Sequence, residues 1–299
     1  MTLEEAIAKI KPLDHNAMEI AQKRWDSIAK PLHSLGKLET LLIQIAGITG
    51  NAEVDLSRRG LIAMCADNGV VEEGVTQTGQ EVTAIVAENF LKYDTSVGVM
   101  CKQNHAEIFP VDMGMVTDTK VRTDHKIAYG TQNMTKGPAM TREQAVQALE
   151  VGIHMVEELK EKGYGIIATG EMGIGNTTTS SAMAAALLKC EVPLVTGKGA
   201  GLSEKGLLHK QEVIGQAIRK YDLYEKDAFT ILETVGGLDI AGLVGVCIGG
   251  AIYRIPIVLD GVISLVAALT AEKIAPGTKE YLLTSHQGKE PAAKFLLKA

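Results

Sequence analysis

A glycine-rich segment in the second half of the sequence has the residue types and spacing of a phosphate-binding turn. Residues 170–177 read GEMGIGNT, which matches the P-loop pattern G-x-x-x-x-G-K-[ST] except that Asn176 stands in the lysine position. Gly173 and Gly175 let backbone N–H groups approach an anion, and a helix beginning at Thr177 points its positive dipole end there. Because the missing lysine normally reaches the outer phosphates of a triphosphate, the pattern favours a monophosphate. A tight turn that needs glycine for its conformation alone is the alternative.

Two lysines near this segment are candidates for neutralising the phosphate. Lys198 lies in a second glycine cluster, TGKGAG at residues 196–201, and Lys210 lies on the polar face of a helix predicted to start near Ser203. The cluster is not G-x-G-x-x-G and does not follow a strand, so dinucleotide binding is disfavoured. A solvated lysine without a ligand is the alternative for each.

Acidic residues follow four predicted strands. The pairs are residues 61–66 with Asp67, 107–111 with Asp112, 165–169 with Glu171, and 255–259 with Asp260. Ligands of open α/β sheets bind beyond the carboxyl ends of the strands, so we expect these acids to converge on one rim. Together they favour chemistry or the recognition of ribose hydroxyls, whereas any one of them alone can be a helix N-cap.

Charge and motif content argue against several other classes. The chain has 36 Asp and Glu against 30 Lys and Arg, a formal net charge of −6, so no nucleic-acid partner is expected. Its seven histidines show no H-x-x-x-H pairing, its four cysteines show no C-x-x-C, and no G-x-S-x-G is present. We therefore expect reduced thiols, no metal, no cofactor and no serine nucleophile.

Neither the N-terminus nor the most hydrophobic stretch has the pattern of an export or membrane segment. The first ten residues, MTLEEAIAKI, carry two early acids and an amphipathic pattern. Residues 235–253 are interrupted by Asp239 and contain six glycines, which indicates a buried core element rather than a membrane span. We expect a cytoplasmic protein with no membrane partner.

Strand patterns alternate with helical patterns in the manner of a parallel sheet with crossover helices. A capping box of Thr141 and Gln144 starts one of these helices. The sequence thus predicts an α/β fold with a mostly parallel, Rossmann-like sheet flanked by helices. Residues 1–50 read as a small helical subdomain, broken around residues 30–36, and residues 51–299 as a large nucleotide-binding domain.

Nine sequence blocks occur in an order that is similar to one known family. They are PLHSLG at residues 31–36, ADNGV at 66–70, QEVT at 80–83, VDMG at 111–114, GTQN at 130–133 with PAMT at 138–141, residues 170–179, VGG at 235–237, DG at 260–261, and SH at 285–286 with EP at 290–291. On these blocks the chain resembles the nicotinate-nucleotide:dimethylbenzimidazole phosphoribosyltransferases of cobalamin lower-ligand synthesis.

The resemblance implies transfer of phosphoribose from nicotinate mononucleotide to 5,6-dimethylbenzimidazole or a related base, with α-ribazole phosphate and nicotinate as products. It implies direct attack at C1′ with inversion, and a carboxylate that takes the proton of the incoming base. By matching position it assigns phosphate and ribose binding to Gly173, Gly175, Asn176, Thr177, Lys210 and Asp260, base binding to Gln80 and Asp67, and a catalytic place beside the ribose to Glu171. It also implies a homodimer.

The sequence departs from the family in two places. The family usually reads Asp-His-Gly at residues 67–69, where Asn68 cannot titrate. Its general-base glutamate belongs to a segment that we expect beyond Ala299, because the helical pattern of residues 295–299 has no cap. Without that segment Glu171 is the substitute base. The alternative function is a non-catalytic or weakly active protein that binds nicotinate mononucleotide or α-ribotides; Asn176 disfavours an NTP-dependent kinase.

Overall fold

A five-stranded parallel sheet lies at the centre of the molecule. The computed structural model describes residues 3–299, and residues 1 and 2 of the predicted helical subdomain lie outside the described residues. The strands are β1 (Arg59–Ala66), β2 (Ala106–Gly114), β3 (Ile166–Met172), β4 (Ile257–Leu259) and β5 (Leu282–Thr284). Their order is β2-β1-β3-β4-β5, and each neighbouring pair is parallel. The predicted α/β class is confirmed.

Helices occupy both faces of this sheet. They are α1 (Leu3–Ile7), α2 (His15–Ser27), α3 (Lys37–Thr49), α4 (Glu81–Lys92), α5 (Ser96–Gln103), α6 (Arg142–Glu161), α7 (Asn176–Leu188), α8 (Val192–Val195), α9 (Glu204–Tyr221), α10 (Ala228–Val235), α11 (Leu238–Tyr253), α12 (Gly261–Ile274) and α13 (Ala293–Leu296), with short 3₁₀ helices at Gly69–Glu73, Leu223–Glu225 and Thr278–Tyr281. No helix within residues 3–299 combines the length and apolar character needed to cross a membrane.

Strand β1, which lies between β2 and β3, is buried on both faces because its alternate side chains enter different cores. Ile62 and Met64 belong to the main core, which α6 and α11 share, whereas Ala63 and Cys65 pack with α4 and α5. Its seven residues after Arg59 are all buried. This continuous burial is typical of a parallel strand covered by helices on both sides.

The strand order reverses at β1, because the chain passes from β1 outward to β2 and then back across to β3. In doubly wound sheets such a reversal opens a crevice beyond the carboxyl ends of the two strands concerned. Cys65 near the end of β1 pairs with Met172 at the end of β3, so the segments that follow both strands enter this crevice together. Those segments are residues 67–70 and the glycine turn at residues 173–175.

Helix α11 is the buried element predicted for residues 235–253. It packs closely on α6: a Cβ atom on Gly245 would overlap the backbone oxygen of Leu149, so only glycine fits there. Its N-terminus, with Asp239 in the first turn, is held under the glycine turn. The capping box of Thr141 and Gln144 at the start of α6 is also confirmed.

Several predicted boundaries are wrong. Strands β2 and β3 continue through Asp112 and Glu171, so these acids lie within the strands rather than after them. Strand β5 was not predicted, because three residues are too few to show an alternating pattern. Helices α2 and α3 pack on each other, but Ala6 of α1 joins the main core. A separate subdomain ending at residue 50 stays a prediction.

Candidate active site

The glycine turn connects β3 to α7 and has the conformation that its sequence demands. Gly175 precedes the first residue of α7 with φ +96°, a left-handed value that other residues rarely adopt. A Cβ atom there would lie 3.0 Å from Val71 Cγ2 and 3.2 Å from Asn68 Cβ. The turn therefore needs glycine for conformation and for close packing, and it places the N-terminus of the 13-residue helix α7 at the crevice.

Lys210 reaches this turn from a different helix. Its Nζ donates a hydrogen bond to Thr177 Oγ1 at 2.8 Å, and the side chain is 1% exposed. The helix starts after Ser203 as predicted, but the predicted polar face is wrong for this residue, because Lys210 points into the protein. Burial lowers the pKa of the ammonium group to about 8, against the opposing charge of Glu290. A buried cation without a partner carboxylate in hydrogen-bond contact is suited to an anionic ligand.

The turn and Lys210 line one cavity of about 280 Å³. Its opposite wall consists of residues 75–78 and the second glycine cluster, and Gln77 Nε2 donates to the backbone oxygen of Gly201 at 2.6 Å across the mouth. Lys198 also borders the cavity, but its ammonium group pairs with the exposed Glu204. This volume is at the lower end for small-molecule sites, as expected for the part of a ligand that carries a phosphate.

Glu171 forms the floor of the same cavity and is half-buried. Asn176 Nδ2 donates to Glu171 Oε2 and also, at 3.1 Å, to Asp239 Oδ2. Burial raises the pKa of Glu171 to about 7, and the negative charges of Asp239 and Asp260 add to the rise. A carboxyl group with a pKa near neutrality in a cavity can accept a proton at physiological pH.

Asp239 is the residue of the site that sequence reasoning missed. It is fully buried, and burial raises its pKa to about 6 while hydrogen bonds from Asn176 oppose the rise. The signal in the sequence was a single acid in the most apolar stretch of the chain, at residues 235–253. Such an acid needs a polar partner inside the protein, and here the partner is Asn176.

The other acids of the predicted rim separate into two groups. Asp260 follows β4, is exposed, and lies 3.9 Å from His286 Nδ1. Asp67 and Asp112 are fully buried, and each accepts a hydrogen bond from a backbone N–H group. Asp67 Oδ2 accepts from Val116 N and Asp112 Oδ1 from Met115 N, both at 2.8 Å. The structure thus brings Glu171 and Asp260 toward one opening and leaves Asp67 and Asp112 beneath it.

Gln80 lies beside the turn at the residue before α4. Its Nε2 donates to the backbone oxygen of Asn68 at 3.3 Å, which places the side-chain amide over the loop that follows β1. Asn68 itself is fully buried, and its amide contacts Ile174 O at 3.5 Å. The base-binding assignments of Gln80 and Asp67 stay predictions.

A second, larger cavity begins on the other side of Glu171. It has a volume of about 810 Å³ and runs along the sheet between Glu171, Asp260 and Ser285 at one end and Arg59 and Asn104 at the other. Within residues 3–299 no three His, Cys, Asp or Glu side chains form a group that could hold a metal ion. Glu171 borders both cavities, the small one that contains Lys210 and the long one along the sheet.

The parallel doubly wound sheet has a glycine turn and a buried lysine at the point where the strand order reverses, which is the place where α/β enzymes bind their ligands. A family model described as phosphoribosyltransferase matches residues 10–299. The chain belongs to the nicotinate-nucleotide–dimethylbenzimidazole phosphoribosyltransferase family. The resemblance drawn from the sequence blocks is confirmed.

Individual relatives support this membership. The enzyme of that name from Ruminiclostridium cellulolyticum is 48% identical over 301 residues, covering 100% of this chain and 86% of the relative. The one from Clostridium tetani is 43% identical over 296 residues, covering 98% and 82%. The crystal structure of CobT from Thermus thermophilus superposes with a TM-score of 0.89 at 32% identity, covering 95% of this chain and 86% of that one.

Proposed function

We propose that this protein transfers phosphoribose from nicotinate mononucleotide to 5,6-dimethylbenzimidazole or a related base, giving nicotinate and α-ribazole phosphate. Family membership supports this assignment, since the relatives are named for that nucleotide and that base. The observation that carries it is that one cavity is lined both by the Lys210 ammonium group, which is suited to a phosphate, and by Glu171, a carboxyl group whose pKa burial raises to about 7. Phosphoribosyl transfer requires both.

The phosphate group is assigned to the glycine turn and the buried lysine. Gly173, Gly175, Asn176 and Thr177 supply the turn and the start of α7, and Lys210 supplies a positive charge beside Thr177 Oγ1. The helix dipole and the ammonium group attract the same anion. A phosphate held there fixes the ribose over Glu171 at the floor of the cavity.

The reaction then exchanges one C–N bond for another at C1′ of the ribose. A ring nitrogen of the benzimidazole attacks C1′ with its lone pair, the bond from C1′ to nicotinate breaks, and nicotinate leaves with that electron pair. The proton on the other ring nitrogen passes to a carboxylate, which is the family's general-base glutamate or, in its absence, Glu171; Glu171 lies beside the ribose in either case. Attack opposite the leaving group converts the β-nucleotide into the α-product. Asp260 is assigned to the ribose, and Gln80 and Asp67 to the base.

Position and charge support the role of Glu171. Its carboxyl group borders the phosphate cavity on one side and Asp260 on the other, so it lies where ribose and base meet. Burial raises its pKa most, and the charges of Asp239 and Asp260 raise it further. A developing oxocarbenium ion is also stabilised by negative charge close to C1′.

We further propose that the protein is a cytoplasmic homodimer. The four cysteines are free thiols, which supports a reducing compartment. Val99 and Met100 on α5 expose 55% and 63% of their surface, which supports burial of this helix against a second copy. Sedimentation equilibrium of the purified chain, compared with Met100→Glu, tests the dimer: the variant should dissociate, and a monomeric parent protein contradicts the proposal.

The proposed reaction is tested by incubating the purified protein with nicotinate mononucleotide in the presence and absence of 5,6-dimethylbenzimidazole. We expect nicotinate release that depends on the base. Calorimetry with nicotinate mononucleotide alone distinguishes the enzyme from the alternative, a protein that binds the nucleotide without catalysis. Tight binding without nicotinate release in the complete mixture supports a binding protein and rejects the enzyme.

A further inference from the structure

Asp239 is a fully buried acid to which the proposed reaction gives no role. It lies in the first turn of α11, beneath the glycine turn, where a Cβ atom on Gly173 would overlap Asp239 Oδ2. That oxygen accepts one hydrogen of the Asn176 amide, and the other hydrogen of the same NH₂ group is available to Glu171 Oε2. One amide nitrogen therefore joins the two carboxyl groups.

Another buried acid, Asp112, has a cation, since Lys126 Nζ lies 3.1 Å from its Oδ2. Within residues 3–299 no lysine or arginine forms an ion pair with Asp239 or Glu171. Asp239 instead accepts hydrogen bonds from the amide of Asn176 and the backbone N–H of Ile240. Two carboxylates that accept from the same amide nitrogen repel each other, which disfavours ionisation of both.

We propose that Asp239 is a positioning residue that acts through Asn176: it accepts one hydrogen of the Asn176 amide, directs the other to Glu171 Oε2, and so orients Glu171 beside the ribose site and couples the two carboxyl groups. This role rests on the proposed function only for its catalytic consequence. The coupling itself is a property of the free protein. Because one amide donates to both carboxyl groups, the protonation of each depends on that of the other.

The groups facing this pair come from several elements. Cys65 of β1 is buried beside it, Asp260 approaches from the end of β4, and Lys210 of α9 borders the same cavity. For Glu171 the pKa is raised first by burial, then by Asp239, and less by Asp260, while the Asn176 hydrogen bond lowers it. Asp239 and Asn176 thus act on the Glu171 pKa in opposite directions.

The hydrogen bonds that join Asp239, Asn176 and Glu171 suit a role of Glu171 as the group that accepts one proton in each turnover. An ordinary glutamate, with a pKa near 4.5, is a weak base for the proton of a benzimidazole. The negative charge of Asp239 makes proton uptake by Glu171 more favourable, and the shared Asn176 amide keeps the carboxyl group in one orientation during the uptake. Asp239 achieves this without contact with the substrate.

Carboxyl-carbon NMR of protein labelled with ¹³C-glutamate tests the coupling directly, with the Glu171 signal assigned by its loss in Glu171→Gln. We expect Glu171 to titrate near pH 7 in the parent protein. In Asp239→Asn, which keeps the size of the side chain, the midpoint should fall toward 4.5. In Asn176→Ala it should rise. Asp112→Asn, the same change at a buried acid that lies outside the cavity, should leave it unchanged.

Opposite shifts in the two variants are not produced by a merely structural role. If Asp239→Asn fails to fold, the upward shift in Asn176→Ala still tests the amide bridge. A Glu171 midpoint that is the same in the parent protein and in either variant overturns the inference. The pH dependence of kcat/KM should follow the NMR midpoints; if the midpoints move but no variant or parent releases nicotinate, the inference stands and the proposed function fails.

Discussion

Lys210 Nζ and Thr177 Oγ1 are joined by a 2.8 Å hydrogen bond that connects α9 to the first turn of α7. The glycine turn has Asn176 where a P-loop has lysine, so its own sequence supplies no cation. Lys210 supplies that cation from a helix 33 residues further along the chain. The charge therefore lies at the start of α7, where we propose that the phosphate of the nucleotide binds.

Replacement of Lys210 by methionine should weaken the binding of nicotinate mononucleotide by about 10- to 100-fold, the usual value of one charge-assisted hydrogen bond. Methionine keeps the apolar volume of the buried side chain and removes only its charge. Lys205→Met on the exposed face of the same helix is the matched control and should bind as the parent protein does. Calorimetry measures both. Equal affinities for the two variants contradict the phosphate assignment.

Nucleotide affinity should fall as the pH rises through about 8, because burial lowers the pKa of Lys210 to that value. Below pH 8 the ammonium group is charged and attracts the phosphate; above it, the free protein has a neutral amine at this position. An ordinary lysine would keep its charge to about pH 10. Titrations between pH 6.5 and 9.5 measure the effect, and the loss above pH 8 should be absent in Lys210→Met. A flat profile in the parent protein rejects a role for this charge.

Gly175→Ala should weaken nucleotide binding at least 10-fold, since the added methyl group meets Val71 and Asn68 in a residue whose φ is +96°. Gly163→Ala provides a control with the same kind of strain, at φ +83°, but with no atom within 4 Å of the new methyl group. That control should cost about 1 kcal/mol of stability and no affinity. Comparable losses of affinity in both variants indicate general strain rather than a specific turn.

Glu171→Gln should lower kcat by about 10² to 10⁴, the range for loss of a general base, while nucleotide binding is retained. It should also raise the free energy of unfolding by on the order of 1 kcal/mol above pH 7. The native-state pKa of Glu171 is raised from 4.5 to about 7, so between these values the native protein holds a proton that the unfolded chain has lost. Stability from this group therefore falls as pH rises through that window.

Denaturant unfolding of Glu171→Gln and of the parent protein at pH 4 and pH 8 measures the expected gain in stability. The difference in unfolding free energy should appear at pH 8 and vanish at pH 4, where the carboxyl group is protonated in both states. A variant that is less stable at pH 8 shows that the ionised Glu171 stabilises the fold, contrary to its raised pKa.

Local patterns were sufficient to predict the turn and several helices. The glycine turn at residues 170–177 and the capping box at Thr141 each depend on a few residues that are close together in the sequence. A short sequence window is therefore enough to predict them. The placement of Lys210 is different, since helical spacing cannot show that one lysine of an amphipathic helix is turned inward toward Thr177. That fact depends on how α7 and α9 pack.

The acids illustrate the same limit. Asp67 and Glu171 both stand at the ends of parallel strands, yet one holds the backbone N–H of Val116 and the other faces the cavity. Asp239 is 63 residues from Asn176 and reaches it because the first turn of α11 packs against the glycine turn that precedes α7. Composition marked Asp239 as unusual in an apolar stretch, but its partner could be identified only from the tertiary structure.

In the proposed reaction phosphoribose moves from one base to another, and a labelled substrate makes this transfer visible. Nicotinate mononucleotide carrying ¹³C in the ribose is incubated with 5,6-dimethylbenzimidazole and the purified protein, and the products are analysed by mass spectrometry. We expect one equivalent of unlabelled nicotinate and the label in α-ribazole phosphate. Label in free ribose phosphate, or no nicotinate at all while the nucleotide is bound, contradicts the transfer.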